Sequence, residues 1–255
     1  MGRIIMKWGG GLITKKSSLC TVEYERIQQL ADCVKKLSEM GHDIIVVHGA
    51  GSFGHIRARE FRLAEGNIDG LDQTEGVGLV RSDMDDLHEH VIRSLHPLSV
   101  TSHRPRDFVV NTGPDFQGNL QRFLLPGIHI TFGDVVDCEP PLDFGILSGD
   151  DLMLRLSTEL PDVSHTIFAM GGAPGLMTSA DSSGELIPLW NNKIPFTGYH
   201  SENVDVTGGI FLKMNRADII SQFVDQVWLI DGAHTSRIMD IIEQGNTIGT
   251  RIVTT

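Results

Sequence analysis

The sequence predicts an α/β domain built on a mostly parallel sheet. Three observations carry that expectation. Short apolar strands alternate with helical patterns along the chain, the run Asp43–Val47 (DIIVV) is apolar without alternation, and a glycine-rich turn follows each of the first two strands. Unbroken apolar runs belong to parallel strands covered on both faces. Arg3–Trp8 (RIIMKW) reads as a buried strand ended by Gly9-Gly10-Gly11. Residues 22–40 read as a helix, because Ile27, Leu30, Ala31, Val34 and Leu37 recur at helical spacing and Gly41 stops it. After the second strand comes a glycine loop, His48–Gly54, with a helix expected from His55. Residues 74–96 read as helix, and Phe108–Val110 and Ile128–Thr131 as strands. Pro140-Pro141 marks a turn before a returning strand at Phe144–Leu147, and a helix is expected over 150–160. Thr166–Met170 reads as a buried strand, and Gly171–Gly198 as loop. The chain closes with a helix over Thr207–Phe223, a strand at Val227–Ile230, a helix over His234–Glu243 and a strand over Thr247–Val253. No repeat or linker divides it, so residues 1–255 are read as a single domain.

The 255 residues carry 21 Lys+Arg against 33 Asp+Glu, a net charge of −12, and 40% are hydrophobic. That composition suffices for a substantial core. The acidic balance argues against general binding to nucleic acid or anionic membranes, which need cationic surfaces. Cys20, Cys33 and Cys138 are widely spaced and form no zinc pattern. The N-terminal stretch lacks the apolar core of a signal peptide and the Ser/Thr of a myristoylation site, and no apolar run is long enough to cross a membrane. The expectation is a soluble, cytoplasmic protein.

The chemistry concentrates in glycine turns. Lys7-Trp8-Gly9-Gly10-Gly11 and His48-Gly49-Ala50-Gly51-Ser52-Phe53-Gly54-His55 each follow a strand, where α/β proteins bind ligands. Glycines admit backbone N–H groups to a phosphate, and a following helix N-terminus adds a favourable dipole. Two such turns suggest two anionic groups held face to face. Residues 49–54 formally match GxGxxG, so a dinucleotide site is an alternative. The match follows the second strand instead of the first, and no strand ending in an acidic residue lies at the required distance. The phosphate-loop pattern GxxxxGK[ST] is absent. Further along stand Phe132-Gly133-Asp134, Ser148-Gly149-Asp150-Asp151 and Asp205-Val206-Thr207-Gly208-Gly209, the last followed by Lys213. Bland roles compete at each: Lys7 at a strand end, Lys16 beside Lys15, and Lys213 on its helix are also compatible with solvated positions, and His55, Asp134 and Asp150 with caps or turns. The remaining histidines, among them His88, His90 and His96, read as surface or helix residues.

The blocks MKWGGGLITKK, VVHGAGSFGH, FGDVV, ILSGDDLM and DVTGGIFLKM, in this order over residues 6–214, resemble the amino-acid kinase superfamily and most of all isopentenyl phosphate kinases. The resemblance implies an open, mainly parallel sheet sandwiched between helical layers, usually a homodimer. It implies an acceptor-binding lobe over about 1–160 and a nucleotide-binding lobe over about 161–255. The implied reaction moves the ATP γ-phosphoryl group, with Mg²⁺, onto a phosphate monoester, isopentenyl phosphate, in isoprenoid biosynthesis. Lys7, Lys16, His55, Asp150 and Lys213 would be catalytic: the lysines on the phosphates, Asp150 orienting them, His55 on the acceptor phosphate. Nucleotide contacts would come from Lys7, Gly9, Gly10, Gly11, Lys16, Gly172, Gly175, Thr207, Gly208, Gly209 and Lys213. Acceptor contacts would come from Gly49, Ala50, Gly51, Gly54, His55, Ser148, Gly149 and Asp150. No residue is assigned as a metal ligand.

The sequence departs from the family twice. Gly11 stands where a serine is usual, and Gly171-Gly172-Ala173-Pro174-Gly175 replaces Ser/Thr-Asp-Val-Asp-Gly, losing both aspartates. A non-catalytic ligand-binding paralogue is therefore an alternative. A prenyl tail needs an apolar cavity, with Ile56, Phe61, Val77, Leu79, Val80, Met84 and Leu87 as candidate walls. Arg57, Arg59, Arg62, Arg81, Asp83, Asp85 and Asp86 share that segment; if they pointed inwards, a polar phosphate or phosphonate, as in fosfomycin kinases, would be the acceptor instead.

Overall fold

The structure is a computed structural model that describes residues 2–179, 184–196 and 209–254. Its elements run β1 (Arg3–Trp8), α1 (Gly10–Ile13), α2 (Tyr24–Glu39), β2 (Asp43–His48), α3 (Gly51–Glu60), α4 (Thr74–Ser94), β3 (Val100–Ser102), β4 (Val109–Val110), β5 (Gln117–Gly118), β6 (Ile128–Phe132), β7 (Asp134–Asp137) and β8 (Phe144–Leu147). They continue with α5 (Gly149–Glu159), β9 (Val163–Met170), β10 (Leu189–Trp190), α6 (Gly209–Ile220), β11 (Gln226–Asp231), α7 (Ser236–Gln244) and β12 (Thr250–Ile252).

An eight-stranded sheet has the order β10-β12-β11-β9-β1-β2-β6-β3, with β11–β12 its antiparallel pair. The central strands are buried on both faces, and their period of two sorts their side chains. On β1, Ile4, Met6 and Trp8 join the core formed with α2, α3, α4 and α7. Ile5 points the other way, into the core with α5 and α6. β2 and β9 divide likewise, with Val46 and Ile167 on one face and Val47 and Phe168 on the other. From β1 the sheet extends through β2 in one direction and through β9 in the other, so the carboxyl ends of β1, β2 and β9 border a crevice of the kind that holds ligands.

The predicted elements correspond closely, with a few local differences. The helix after the second glycine turn starts at Gly51, not His55, so most of the expected loop is helix. The strand expected at 108–110 is shorter and lies in a separate four-stranded sheet, β5-β4-β7-β8. Its strand β5 and the edge strand β3 of the large sheet have no apolar period to betray them, since both are short and largely exposed. The span 171–198, expected as loop, contains β10. The expected helix start at Thr207 and Gly208 lies outside the described residues, and α6 is seen from Gly209. His88 is on a helix as expected, yet wholly buried. No described helix is long and apolar enough to cross a membrane.

Candidate active site

Lys7 has the same parity as Ile5, so its side chain leaves β1 on the α5–α6 face and not towards solvent; it is 8% exposed. There its Nζ stands 2.7 Å from Asp150 Oδ1. Lys213, from α6, brings its Nζ to 2.8 Å from the same oxygen and lies over the Phe168 ring. Burial alone would push the Asp150 carboxyl up, but the Lys213 and Lys7 ammonium groups outweigh it and hold it at about 2. Asp150 sits in the first turn of α5, where the helix dipole favours an anion. Ser148 caps that helix by accepting from the Asp150 N–H at 3.1 Å. Gly149 leaves room for Lys7: a Cβ there would stand 3.3 Å from Lys7 Cε. The neighbouring Asp151 takes a different partner, Arg216 Nε at 2.7 Å, and does not line the cavity.

The two glycine turns are seated backbone against backbone. A Cβ on Gly10 would meet Gly51 N at 2.2 Å, and one on Gly49 would meet Gly10 N at 2.6 Å. Gly51 adopts a φ of +51° that side-chain-bearing residues rarely take. Thr14, which sequence reasoning passed over, stitches the pair: its hydroxyl donates to Gly10 O at 2.8 Å and accepts from the Ser52 N–H at 2.9 Å. Lys16 is exposed and its stem crosses Gly11, where a Cβ would meet Cε at 2.3 Å. Gly11, with no side chain, lets the Lys16 stem lie close. The Gly171–Gly175 bend packs on the first turn through Gly171, whose Cβ would stand 3.0 Å from Gly11 O. It is pinned at its far end by the Leu176 N–H donating to Thr250 Oγ1 at 2.8 Å.

These groups border one cavity of about 390 Å³. Lys7, Gly9, Gly10, Gly11, Lys16, Gly49, Ala50, Gly51, Gly54, His55, Ser148, Gly149, Asp150, Gly172, Gly175, Gly209 and Lys213 all line it. Thr207 and Gly208 lie outside the described residues. Beyond His55 the cavity turns apolar, walled by Ala58, Val80, Met84, Val135 and Ile146. Of the candidate tail residues only Val80 and Met84, four apart on α4, reach it. Leu87, Phe61 and Val77 turn into the core, and Ile56 and Leu79 are half-buried away from the cavity. Val135 and Ile146 were missed because they come from the β7–β8 hairpin, distant in sequence. The FGD block preceding Val135 was the available signal.

None of the segment's charged residues lines the cavity. Arg57 pairs with Asp83, Arg62 with Glu65, Arg81 with Asp137, and Asp85 with Arg104 and Arg106. Asp134 does border it, but both its oxygens are engaged, one by the Val135 N–H and one by Arg106. Burial pushes the Asp134 carboxyl up to about 6 against the pull of Arg106. The end of the cavity from Met170 to Met177 is lined by glycine and apolar side chains among the described residues.

A model of the amino acid kinase family matches residues 2–227. A protein of Thermoplasma acidophilum named isopentenyl phosphate kinase is 32% identical, over 98% of this chain and 99% of its own length. One of the same name from Methanothermobacter thermautotrophicus is 30% identical, over 98% of each chain. The crystal structure of an isopentenyl phosphate kinase substrate complex superposes with a TM-score of 0.80 at 27% identity, over 99% of this chain and 100% of that one.

Proposed function

The chain belongs to the amino acid kinase family, and from that premise we propose that it transfers the γ-phosphoryl group of ATP to isopentenyl phosphate, giving isopentenyl diphosphate. One observation carries the choice of acceptor: the cavity is cationic and glycine-lined over the sheet edge and apolar beyond His55, with every neighbouring arginine and aspartate of α3 and α4 turned elsewhere. An acceptor with a phosphate head and a short hydrocarbon tail fits that polarity. A compact, polar phosphonate of the fosfomycin type does not.

Phosphoryl transfer asks a protein to position two anions and neutralise charge spread over the transferring oxygens. A phosphate monoester is already a competent nucleophile near neutral pH, so no strong base is needed. In this reading Lys7 lies between the two phosphates, Lys213 and Lys16 hold the donor, and Asp150 keeps Lys7 and Lys213 in place before substrate arrives. The N–H groups of Gly49–Gly51 and the His55 imidazole hold the acceptor phosphate. Residues up to about 160 then serve the acceptor and the remainder the nucleotide, with Lys7 and the first glycine turn shared. The family resemblance further suggests a homodimer, which sedimentation would test.

The reaction also calls for Mg²⁺. Among the described residues no group of three or more His, Cys, Asp or Glu side chains could hold a metal ion. The cavity carboxylates Asp134 and Asp150 are committed to Arg106 and to two lysines. Among the described residues there is thus no cage for the ion, and in this reading Mg²⁺ arrives carried by the phosphates, as it commonly is in kinases.

Purified protein supplied with ATP, Mg²⁺ and isopentenyl phosphate is expected to form the diphosphate. Lys7→Ala should reduce turnover at least about a hundredfold. His55→Ala should raise the acceptor KM while leaving that for ATP in place. Absence of turnover over a panel of alkyl phosphates and phosphonates would overturn the proposal, and failure to bind ATP would favour the non-catalytic paralogue.

A further inference from the structure

The apolar end of the cavity lies between α4, which contributes Val80 and Met84, and the β7–β8 hairpin, which contributes Val135 and Ile146. Nothing covalent fixes that gap. Two arginines span it. Arg81, next to Val80 on α4, donates from Nε to the Val135 carbonyl at 2.9 Å. Asp85, next to Met84, accepts from Arg106 Nη2, while Arg106 Nη1 donates to Asp134 Oδ2 at 2.9 Å. The other Asp134 oxygen accepts from the Val135 N–H at 2.9 Å. Both backbone polar groups of Val135 are thus tied to α4: the carbonyl directly through Arg81, the N–H through Asp134, Arg106 and Asp85. Arg81 and Asp85, four apart, flank the helix face that carries Val80 and Met84. On its other side α4 is backed by α3, where a Cβ on Gly54 would stand 3.4 Å from Met84 Sδ.

We infer that Arg81 and Arg106 are positioning residues that set the width of the acceptor-tail cavity and so the length of hydrocarbon the enzyme accepts. The inference rests on the proposed function. The guanidinium groups touch no substrate; they act through Val135. Each has a fixed fork of donors that a lysine does not reproduce. The buried link through Asp134 is the stronger of the two ties, because Asp134 is 2% exposed whereas the additional Arg81 partner, Asp137, is mostly in solvent. Loosening either tie frees the hairpin to move away from α4, which widens the tail cavity and leaves the glycine turns and lysines undisturbed.

The test compares wild type, Arg81→Gln and Arg106→Lys on five-carbon and ten-carbon prenyl monophosphates, with ATP varied separately and thermal unfolding recorded for each. The expected result is a ratio of ten-carbon to five-carbon kcat/KM that rises about tenfold in either variant, in line with the discrimination a hydrophobic pocket exerts per methylene, with the KM for ATP unchanged. Arg81→Gln removes only a half-exposed side chain and carries the test if Arg106→Lys folds poorly. An unchanged ratio in a folded variant, or an ATP KM that moves in step with the acceptor KM, overturns the clamp while leaving the proposed function standing. A wild type inactive on every prenyl monophosphate overturns the proposed function, and this inference with it.

Discussion

Asp150 accepts two ammonium groups on one oxygen, and each of the three charges is largely hidden from water. Removing the shared anion leaves two buried cations facing one another. Breaking such a cluster from one side costs about 3–5 kcal/mol, so Asp150→Asn should lower stability by that order and turnover by at least about a hundredfold, as read from melting curves and steady-state rates. With its carboxyl held at about 2, Asp150 stays ionised throughout any practical assay. Its contribution to stability is complete above the ordinary carboxylate range and fades only as pH falls towards 2. An acid limb in the rate profile therefore belongs to another group. Lys7 shows how far the sequence alone could go: the RIIMKW strand and its period of two were readable, but whether its lysine met solvent or a carboxylate depended on α5 arriving from more than a hundred residues away.

Among the elements, the two strand–turn–helix units show the clearest link between sequence and site. Their glycines were legible as turns that end strands; that they abut each other was not, because contact between turns is a property of neighbouring strands β1 and β2. Gly51→Ala must place a Cβ on the Thr14 hydroxyl, at 2.0 Å, and near the Gly10 carbonyl, at 2.6 Å, from a backbone with φ of +51°. It should cost several kcal/mol and most of the activity. Gly78, exposed in α4 with nothing within 4 Å of a built Cβ, makes the opposite control. Gly78→Ala should stabilise the protein by about 0.5–1 kcal/mol, since helix interiors favour alanine by that margin. Denaturant melts of both variants check the contrast. The apolar central strands were readable from continuous hydrophobic runs. The small sheet was legible only in part: its strands near 108–110 and at 144–147 were read, whereas β5 is too short to show a period and β7 was not read as a strand. The apolar wall of the cavity was half legible because α4 presents Val80 and Met84 to the cavity while Leu87 turns into the core.

Taken as a whole, the molecule stores its pH sensitivity in imidazoles away from the lysines. His48 Nε2 meets His88 Nδ1 at 3.1 Å, and His103 Nε2 meets His129 Nδ1 at 2.9 Å. Burial holds His88, His103 and His165 at about 4, and burial together with His88 holds His48 well below the ordinary value. The unfolded chain, with histidines near about 6.5, binds more protons in acid. Stability is then complete above about pH 6.5 and declines as pH falls towards 4, by at most about 5 kcal/mol per pH unit for four such groups. Asp134 works in the opposite sense: its carboxyl, pushed up to about 6, gains a proton earlier in the folded state. The melting temperature should drop steeply between pH 6 and 4.5, and less so in His88→Asn; a flat profile would contradict the buried, neutral assignment.

The backbone seating of Gly10 against Gly49 and Gly51 also bears on ancestry. Apart from the Thr14 hydroxyl, the two turns meet backbone against backbone, so their separation is a narrow gauge with little room for substitution. The walls at positions 80, 84, 135 and 146 carry no such restriction. A lineage can therefore exchange one hydrocarbon tail for another in single steps without passing through an inert ancestor, and descendants with different diets should keep the turns verbatim and diverge at those four positions.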